Sequence, residues 1–597
     1  MSRLLPYKYE IAVIALSVLA LFVHIHLAST LNLGNDEAHY YVWSLKPLFG
    51  YLDDAPFVAY IIYFFTHVFG KNELTVRLGA IIFSFLDGIA IYYLSLLLFK
   101  DKRASFFAFL FFICSPIFGM ILSVMILPDS SLLFFYIVFL IFLYLAINKN
   151  NNILLWILTG IFLGLAFISK YTAALIPPSV LLYFLISKKN RNLLTAVYPY
   201  LSLLIAIIIF SPVIYWNAVH NFISFKFQLS HGFSVPKPGI IMFVQGWIGQ
   251  FLVITPFIYI FIVYSFTYSF RYFKFWIKNN HSYSRNYSLE RQGGLKNNTG
   301  SGRGFDIGNG FKASEKASEG SLFSLVMSAP MLLFFIINGY SHTILLHWPD
   351  IGYITAFPLA GFVFSDNARI LNEKIKSEGS KIKVLFYRLR FNSLRFYVYF
   401  SLFVGAFLSV ALYYQIYYNF IPSGKIIRYI DQEQLRHKGG IFDFIPHIPG
   451  KPETANVIND LFGWRQSAHY INIIYKCYKR KYPLLFVMTH HYAISDELVY
   501  YDNLKPAVNI YNISGFLNQY DLWQNLNKIN GRDALFIMDD KYMIYPVKTY
   551  APFFKSVKKI GRLDIYKQLR PVRVFYLYLM KDFKAGSAAK NFTHRLY

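Results

Sequence analysis

Charge is scarce in this 597-residue chain. Only 15% of its residues are Asp, Glu, Lys or Arg, against about 25% in an ordinary soluble domain. Acidic residues are the scarcer kind, 31 against 58 basic ones. Cysteine is almost missing. Cys114 stands in an apolar run and Cys477 far downstream, which excludes a disulfide framework and a cysteine metal cluster. Both read as inert. In place of charge the chain carries 56% hydrophobic and 20% aromatic residues. That balance excludes a large soluble enzyme, a disordered chain, a collagen and a coiled coil. The class left is a polytopic α-helical membrane protein.

A net charge of +27 would suit nucleic acid if it were concentrated in one patch. Instead the basic residues fall in short loops between apolar runs, which is a topology signal, and no nucleic-acid partner is expected. Crossing the hydrocarbon takes about 20 mostly apolar residues. Eleven stretches read as spans: 10–29, 76–99, 105–125, 131–148, 153–168, 172–187, 193–215, 240–270, 321–338, 348–366 and 396–418. Phe57 to Phe69 is only 13 residues long and reads as an interfacial or re-entrant helix. The first span follows Arg3 and Lys8, but its apolar core is longer than that of a signal peptide and no A-x-A site follows. It reads as a retained helix.

Loops 1–9, 100–104, 148–152, 188–192, 271–320 and 367–395 hold 26 Lys and Arg residues, and the alternate loops 30–75, 126–130, 169–171, 216–239 and 339–347 hold 5. By the positive-inside rule the N-terminus is cytoplasmic and the second set of loops is external. Eleven spans then place everything after about residue 419 outside the cytoplasm. Two domains follow: a transmembrane unit, 1–418, and an extracytoplasmic unit, 419–597. In the latter, turn signals such as Pro-Gly-Lys-Pro alternate with short β-branched and aromatic runs, for example Leu484–Met488 and Ala534–Met538, which predicts a mixed α/β domain. Within 271–320, the stretch from 279 is rich in Gly, Ser, Asn and charge and reads as a flexible cytoplasmic loop. Its glycines lack the strand-to-helix setting of a phosphate loop.

Ionisable groups at membrane depth are costly and mark function. Here the acids gather on the external side: Asp36 and Glu37 after the first span, Asp53 and Asp54 in Gly50–Pro56, and Asp129 at the outer end of the third span. Lys170 and Tyr171 lie at another outer turn. Later external loops add Tyr215, Trp216, Asn217, His220, His231, His347, Trp348 and Asp350. Singly, an Asp after a helix is a solvated cap, Trp and Tyr form an interfacial belt, and histidines pack or face solvent. Several acids at one depth, with cations and hydroxyls beside them, suit an active site opening at the outer leaflet.

These motifs resemble a known family. Asn35-Asp-Glu-Ala-His-Tyr-Tyr41, Gly50-Tyr-Leu-Asp-Asp-Ala-Pro56 and Asn72-Glu-Leu-Thr-Val-Arg-Leu-Gly79 resemble the first external loop of the lipid-linked-sugar glycosyltransferases of the GT-C superfamily, in particular the aminoarabinose transferase and protein O-mannosyltransferase group. Leu127-Pro-Asp129, Gly164–Thr172, Ser211–Asn217, His347-Trp-Pro349, Asn459–Trp464 and Asn518–Trp523 follow in the family's order. The resemblance implies a GT-C-like fold of about 11–13 transmembrane helices with a C-terminal extracytoplasmic α/β domain. It implies sugar transfer from a polyprenyl-phosphate donor to a lipid A, other lipopolysaccharide, glycolipid or protein acceptor outside the cytoplasm, in a membrane whose lipids surround the chain.

By position the resemblance makes Asp36 the general base, with Glu37 its neighbour. Tyr51, Asp53, Asp54, Arg77, Asp129, Lys170, Tyr171, Trp216, Asn217, His347 and Trp348 are candidates for holding the donor and its phosphate. No cofactor is firmly implied. A divalent cation on Asp53, Asp54 and Asp129 is the alternative source of positive charge for the leaving phosphate. Many relatives have a basic residue where this chain has Asp54, and Ala55 replaces a proline, which removes a phosphate contact and favours a metal or another cation there. Thr489-His-His-Tyr492 lacks helical H-x-x-x-H spacing and reads as structural. A lipid or solute transporter would share the composition, but its site would lie near the midplane in repeated halves, and no repeat is present. A non-catalytic scaffold leaves the first-loop acids unexplained.

Overall fold

In hydrocarbon a chain must satisfy its own N–H and C=O groups, so long apolar runs fold as helices. The computed structural model describes residues 6–149, 152–233, 240–270, 307–340, 344–418, 420–421, 457–514, 517–541, 547–567 and 570–586. Most of the expected flexible loop, 271–306, lies outside the described residues, as do 422–456 of the expected extracytoplasmic unit and the side chain of His231. Residues 307–320 of that loop are helical.

The first part of the chain forms α1 (Lys8–Thr30), α2 (Asn35–Ser44), α3 (Phe57–Phe69), α4 (Glu73–Phe99), α5 (Lys102–Ile113), α6 (Pro128–Asn148), α7 (Ile153–Ser169), α8 (Ile176–Ile186), α9 (Val197–Val219), α10 (Ile223–Phe233), α11 (Ile240–Ile254), α12 (Pro256–Phe270), α13 (Ile307–Gly339), α14 (Ala356–Ser377) and α15 (Lys381–Tyr418). Among the described residues, six helices are long and apolar enough to cross a membrane alone, and two bent pairs bring the number to eight. The chain is a multi-pass membrane protein.

The expected eleven spans differ from this in ways that have local causes. Stretch 105–125 is broken by 73° after α5, at Ser115-Pro116, where a proline has no N–H to give the helix ladder. Stretch 240–270 turns by 99° between α11 and α12, at Thr255, whose φ of 75° precedes Pro256. Stretches 153–168 and 172–187 form shorter apolar helices, Ile153–Ser169 and Tyr171–Ile186. Stretch 348–366 becomes helical in earnest only at Ala356, and α14 continues into a charged end at Ser377. Close packing compensates for short length. Gly160 and Gly164 on α7 face α9: a Cβ on Gly160 would lie 2.5 Å from the Ser202 carbonyl oxygen, and one on Gly164 2.7 Å from the Ile209 side chain. This small-xxx-small spacing lets the two backbones approach.

The distal part forms α16 (Trp464–Lys481), β1 (Phe486–Thr489), α17 (Tyr492–Asp502), β2 (Ile510–Asn512), β3 (Ala534–Asp539), β4 (Phe554–Lys567) and β5 (Arg570–Phe583). The strand order is β2-β1-β3-β5-β4, with β2, β1 and β3 parallel and the last two pairings antiparallel. One side of this sheet shares its core with the stretch between α1 and α4. Val487, Leu535, Ile537 and Leu577 pack in a single cluster with Val42, Trp43, Val58 and Ile62. Stretch 30–75 is therefore built into the distal domain rather than lying free between two spans. Helix α3 buries Val58, Ala59 and Ile62 there and leaves Phe64, Val68 and Phe69 exposed.

Candidate active site

Helix α2 separates the two acids of the first motif. Successive residues on a helix point about 100° apart, so neighbours in sequence do not share a face. Asp36, His39 and Tyr40, at spacings i, i+3 and i+4, line one cavity, while Glu37, Ala38, Tyr41 and Val42 are buried. Glu37 accepts from Arg77 through both oxygens, at 2.7 Å from Nε and 2.5 Å from Nη2, and from the backbone N–H groups of Gly34 and Ile126. Arg77 also donates to the carbonyls of Ala28, Leu31 and Asn32, where α1 ends with carbonyls its own ladder leaves open. Glu37 and Arg77 thus fix the corner between α1 and α2, away from the cavity wall.

The cavity holds about 830 Å³ and lies between the helix bundle and the distal domain. Asp36, Asp53, Asp54, Asp129, Lys170, His347 and Trp348 line it. Asp36 opens onto it but is enclosed by protein on its other sides. Among the described residues no group hydrogen-bonds to its carboxylate. Burial pushes its carboxyl above the usual range, His39 opposes, and Asp460, Glu37 and Asp53 add to the rise. Asp54 accepts from the N–H of Ala55 at 2.8 Å and of Tyr171 at 3.4 Å. Burial pushes it up to about 7, against Lys170.

Two cations of the wall are already paired. Lys170 donates to Asp129 at 2.5 Å, and His347 lies 3.8 Å from the second oxygen of the same carboxylate. Burial holds the His347 imidazole down at about 4, so it is neutral at physiological pH. His39 lies between Asp53 and Asp496, 2.8 and 2.6 Å from its two ring nitrogens. A third cation, Lys226 on α10, has its side chain exposed at the cavity and no partner among the described residues. Apolar wall comes from Leu127, Ile223, Phe227 and Leu345.

The other candidates brace this wall. Tyr51 stacks on Trp43 at 4.2 Å and donates to the carbonyls of Trp43 and Lys46. Tyr171 accepts from the Ser224 hydroxyl. Trp216 stacks on His220 at 4.1 Å and covers Gly50, where a Cβ would lie 2.6 Å from the indole. Asn217 accepts from the N–H of Phe225 and donates to the Val213 carbonyl, setting the turn from α9 into α10. The Asp53, Asp54 and Asp129 trio does not fit a metal ion. Asp53 is bound to His39 and Asp129 to Lys170, and among the described residues no group of three or more His, Cys, Asp or Glu side chains is arranged to hold one.

Six residues of the site were not singled out from the sequence: His39, Tyr40, Lys226, Gln228, Tyr492 and Asp496. The first two had a signal, since they stand one helical turn beyond Asp36. Lys226 had a weaker one, as one of few basic residues in the loops that the charge bias reads as external. Tyr492 closes the Thr489-His-His-Tyr492 pattern, which reads as structural; Gln228, whose amide donates to the Asp53 carbonyl, and Asp496 had none.

Residues 53–216 match the dolichyl-phosphate-mannose-protein mannosyltransferase family. The lipid A galacturonosyltransferase RgtD of Rhizobium johnstonii is 24% identical over 193 residues, which cover 31% of this chain and 38% of that protein. The whole structure is similar to ArnT from Cupriavidus metallidurans in the apo state, with a TM-score of 0.53 at 12% identity, over 96% of this chain and 98% of that one. The chain has the GT-C fold. ArnT bound to undecaprenyl phosphate gives the same similarity. Within this GT-C fold the family match takes in Asp53, Asp54, Asp129, Lys170 and Trp216, and leaves Asp36 and the distal domain outside it.

Proposed function

We propose that this GT-C protein is an integral-membrane glycosyltransferase, moving a sugar from a polyprenyl-phosphate donor to a lipid A, glycolipid or protein acceptor on the outer face of the membrane. The observation that carries this reading is the Asp36 carboxylate, without a partner among the described residues, facing a large cavity that also holds the Lys226 ammonium, likewise without a partner among them. The mannosyltransferase match, the lipid A galacturonosyltransferase and the undecaprenyl phosphate on ArnT support the donor and acceptor classes.

Asp36 takes the proton of the acceptor hydroxyl as that oxygen bonds to the anomeric carbon. The bond from the anomeric carbon to the phosphate oxygen breaks, and polyprenyl phosphate leaves with the electron pair. Charge then grows on the phosphate, which Lys226 and Lys170 meet. The prenyl chain follows Ile223, Phe227, Leu345 and Trp348 towards the bundle. Direct displacement inverts the anomeric centre. The charge bias between loops supports a cytoplasmic N-terminus and an extracytoplasmic distal domain, in the plasma or inner membrane.

The test is radiolabel transfer from a panel of polyprenyl-phosphate sugars in membranes carrying wild type or Asp36→Asn at equal expression. Label entering lipid or protein with wild type and lost in the variant supports the reading. Equal transfer by both removes Asp36 as the base.

A further inference from the structure

We propose that Asp496, on the distal domain, is a positioning residue for the base: it holds His39 as a fixed cation against Asp53, one helical turn from Asp36. The inference rests on the reading of the cavity as a glycosyl-transfer site, and it makes the distal domain part of the catalytic device rather than a cover.

The geometry defines the charge of His39. Its Nδ1 lies 2.6 Å from an Asp496 oxygen and its Nε2 lies 2.8 Å from an Asp53 oxygen. Burial raises the Asp496 carboxyl while His39 and the Tyr520 hydroxyl hold it down; with both carboxyls ionised they only accept, so an imidazole between them carries both protons. Burial opposes that charge, and the two carboxylates outweigh it, raising His39 to about 10. The arrangement is rigid from the distal side. Asp496 is fully buried on α17, and its other oxygen accepts from the Tyr520 hydroxyl at 2.7 Å. The imidazole packs against Tyr492 at 4.7 Å and Trp43 at 5.0 Å between ring centres.

The consequence falls on Asp36. The charged groups facing it are His39 and Glu37 on its own helix, Asp53 from the following loop, and Asp460 from the turn Val457–Leu461. Three are acids and His39 is the cation. Glu37 is matched by Arg77, and Asp460 by Lys541 with Arg573 3.7 Å away. Without the imidazolium, Asp36 would lose the cation that opposes the rise from burial and from its acidic neighbours, and would hold its proton more tightly, which weakens a general base. If Asp496 merely fastened the distal domain to the first loop, its loss would lower stability and leave the charge of His39 and the pH profile alone.

The experiment uses the full chain in nanodiscs with ¹⁵N-histidine, the His39 signal being assigned with His39→Gln. Wild type is expected to show a doubly protonated His39 at pH 7.5. In Asp496→Asn its titration is expected to fall by about one unit or more, and the acid limb of the transfer profile to move upward. Asp502→Asn, at the far end of α17, should move neither. A neutral His39 in the wild type overturns the proposal. So does an Asp496→Asn protein that melts earlier while its His39 charge and acid limb stay in place. Should no donor support transfer by wild type, the glycosyltransferase reading fails, and the histidine spectra still decide whether Asp496 sets the charge of His39.

Discussion

Lys170 and Asp129 meet at 2.5 Å, both almost fully buried, and join the C-terminal end of α7 to the N-terminal start of α6. Removing one partner of such a pair leaves an uncompensated charge, which costs about 3–5 kcal/mol, whereas replacing both by apolar groups is often neutral. Lys170→Met is therefore expected to lower the unfolding temperature sharply. Lys170→Met with Asp129→Leu should recover stability while transfer stays reduced, because one of the two cations proposed to meet the leaving phosphate is gone. Thermal unfolding in detergent and the radiolabel assay together check this.

Asp36→Asn should behave in the opposite way. The carboxylate accepts no hydrogen bond among the described residues, so its loss removes no contact, and stability should stay within about 0.5 kcal/mol of wild type. Transfer should fall by about 10²–10⁴-fold, the range for removing a general base. A fall in activity with an unchanged melting curve separates a chemical role from a structural one.

Glu37 and Arg77 divide from Asp36 on the same measurements. Arg77→Met breaks a bidentate pair and frees three carbonyls at the end of α1. A loss of about 3–5 kcal/mol is expected, with poor accumulation in the membrane. Whatever protein does fold should keep its KM for the donor, since Arg77 does not reach the cavity wall.

Lys226→Met should raise the donor KM by about 10-fold or more and lower kcat as well, because phosphate charge is greatest as the leaving group departs. Being exposed and without a partner among the described residues, the lysine should contribute little to stability. Steady-state kinetics over a donor series, with melting as the control, provides the check.

Asp54 makes stability depend on pH with a defined sign. Its carboxyl is raised from 3.8 to about 7, so the folded state binds the proton more tightly than the unfolded state. Its contribution is fully present below about pH 4 and is lost as pH rises through 7, by up to about 1.4 kcal/mol per unit. Asp54→Asn should flatten that part of the curve and be the more stable protein at pH 8. Denaturation of both proteins from pH 4 to 8 measures the difference.

Much of this protein is local and therefore readable along the chain. Apolar length alone places α1, α4, α6 and α9, because hydrocarbon leaves the backbone no other partner. Phe57–Phe69 and Ala534–Met538 fall where the pattern predicts a short helix and a strand. The clustering of acids in one set of loops points to the outer face, and Asp36, Asp53, Asp54, Asp129 and Lys170 do meet in one cavity. The number of clean spans was harder to read, since apolar length alone does not show the bends that Pro116 and Thr255-Pro256 put inside two of the runs.

Other features depend on contacts between residues far apart. Asp36 and Glu37 are adjacent and chemically alike, yet one faces the cavity and the other the Arg77 guanidinium. The helix separates them, but only the packing of α2 against α3 and the distal helix α17 decides which one is buried. Asp496 is 457 residues from His39 and carries no local mark. The sequence by itself determined the class of the protein, its helices and the neighbourhood of its acids, because burial and backbone pairing act over one segment at a time. Only the tertiary structure decided which acid is free and which cations are already paired, because a charge is defined by the groups around it, and those come from every part of the chain.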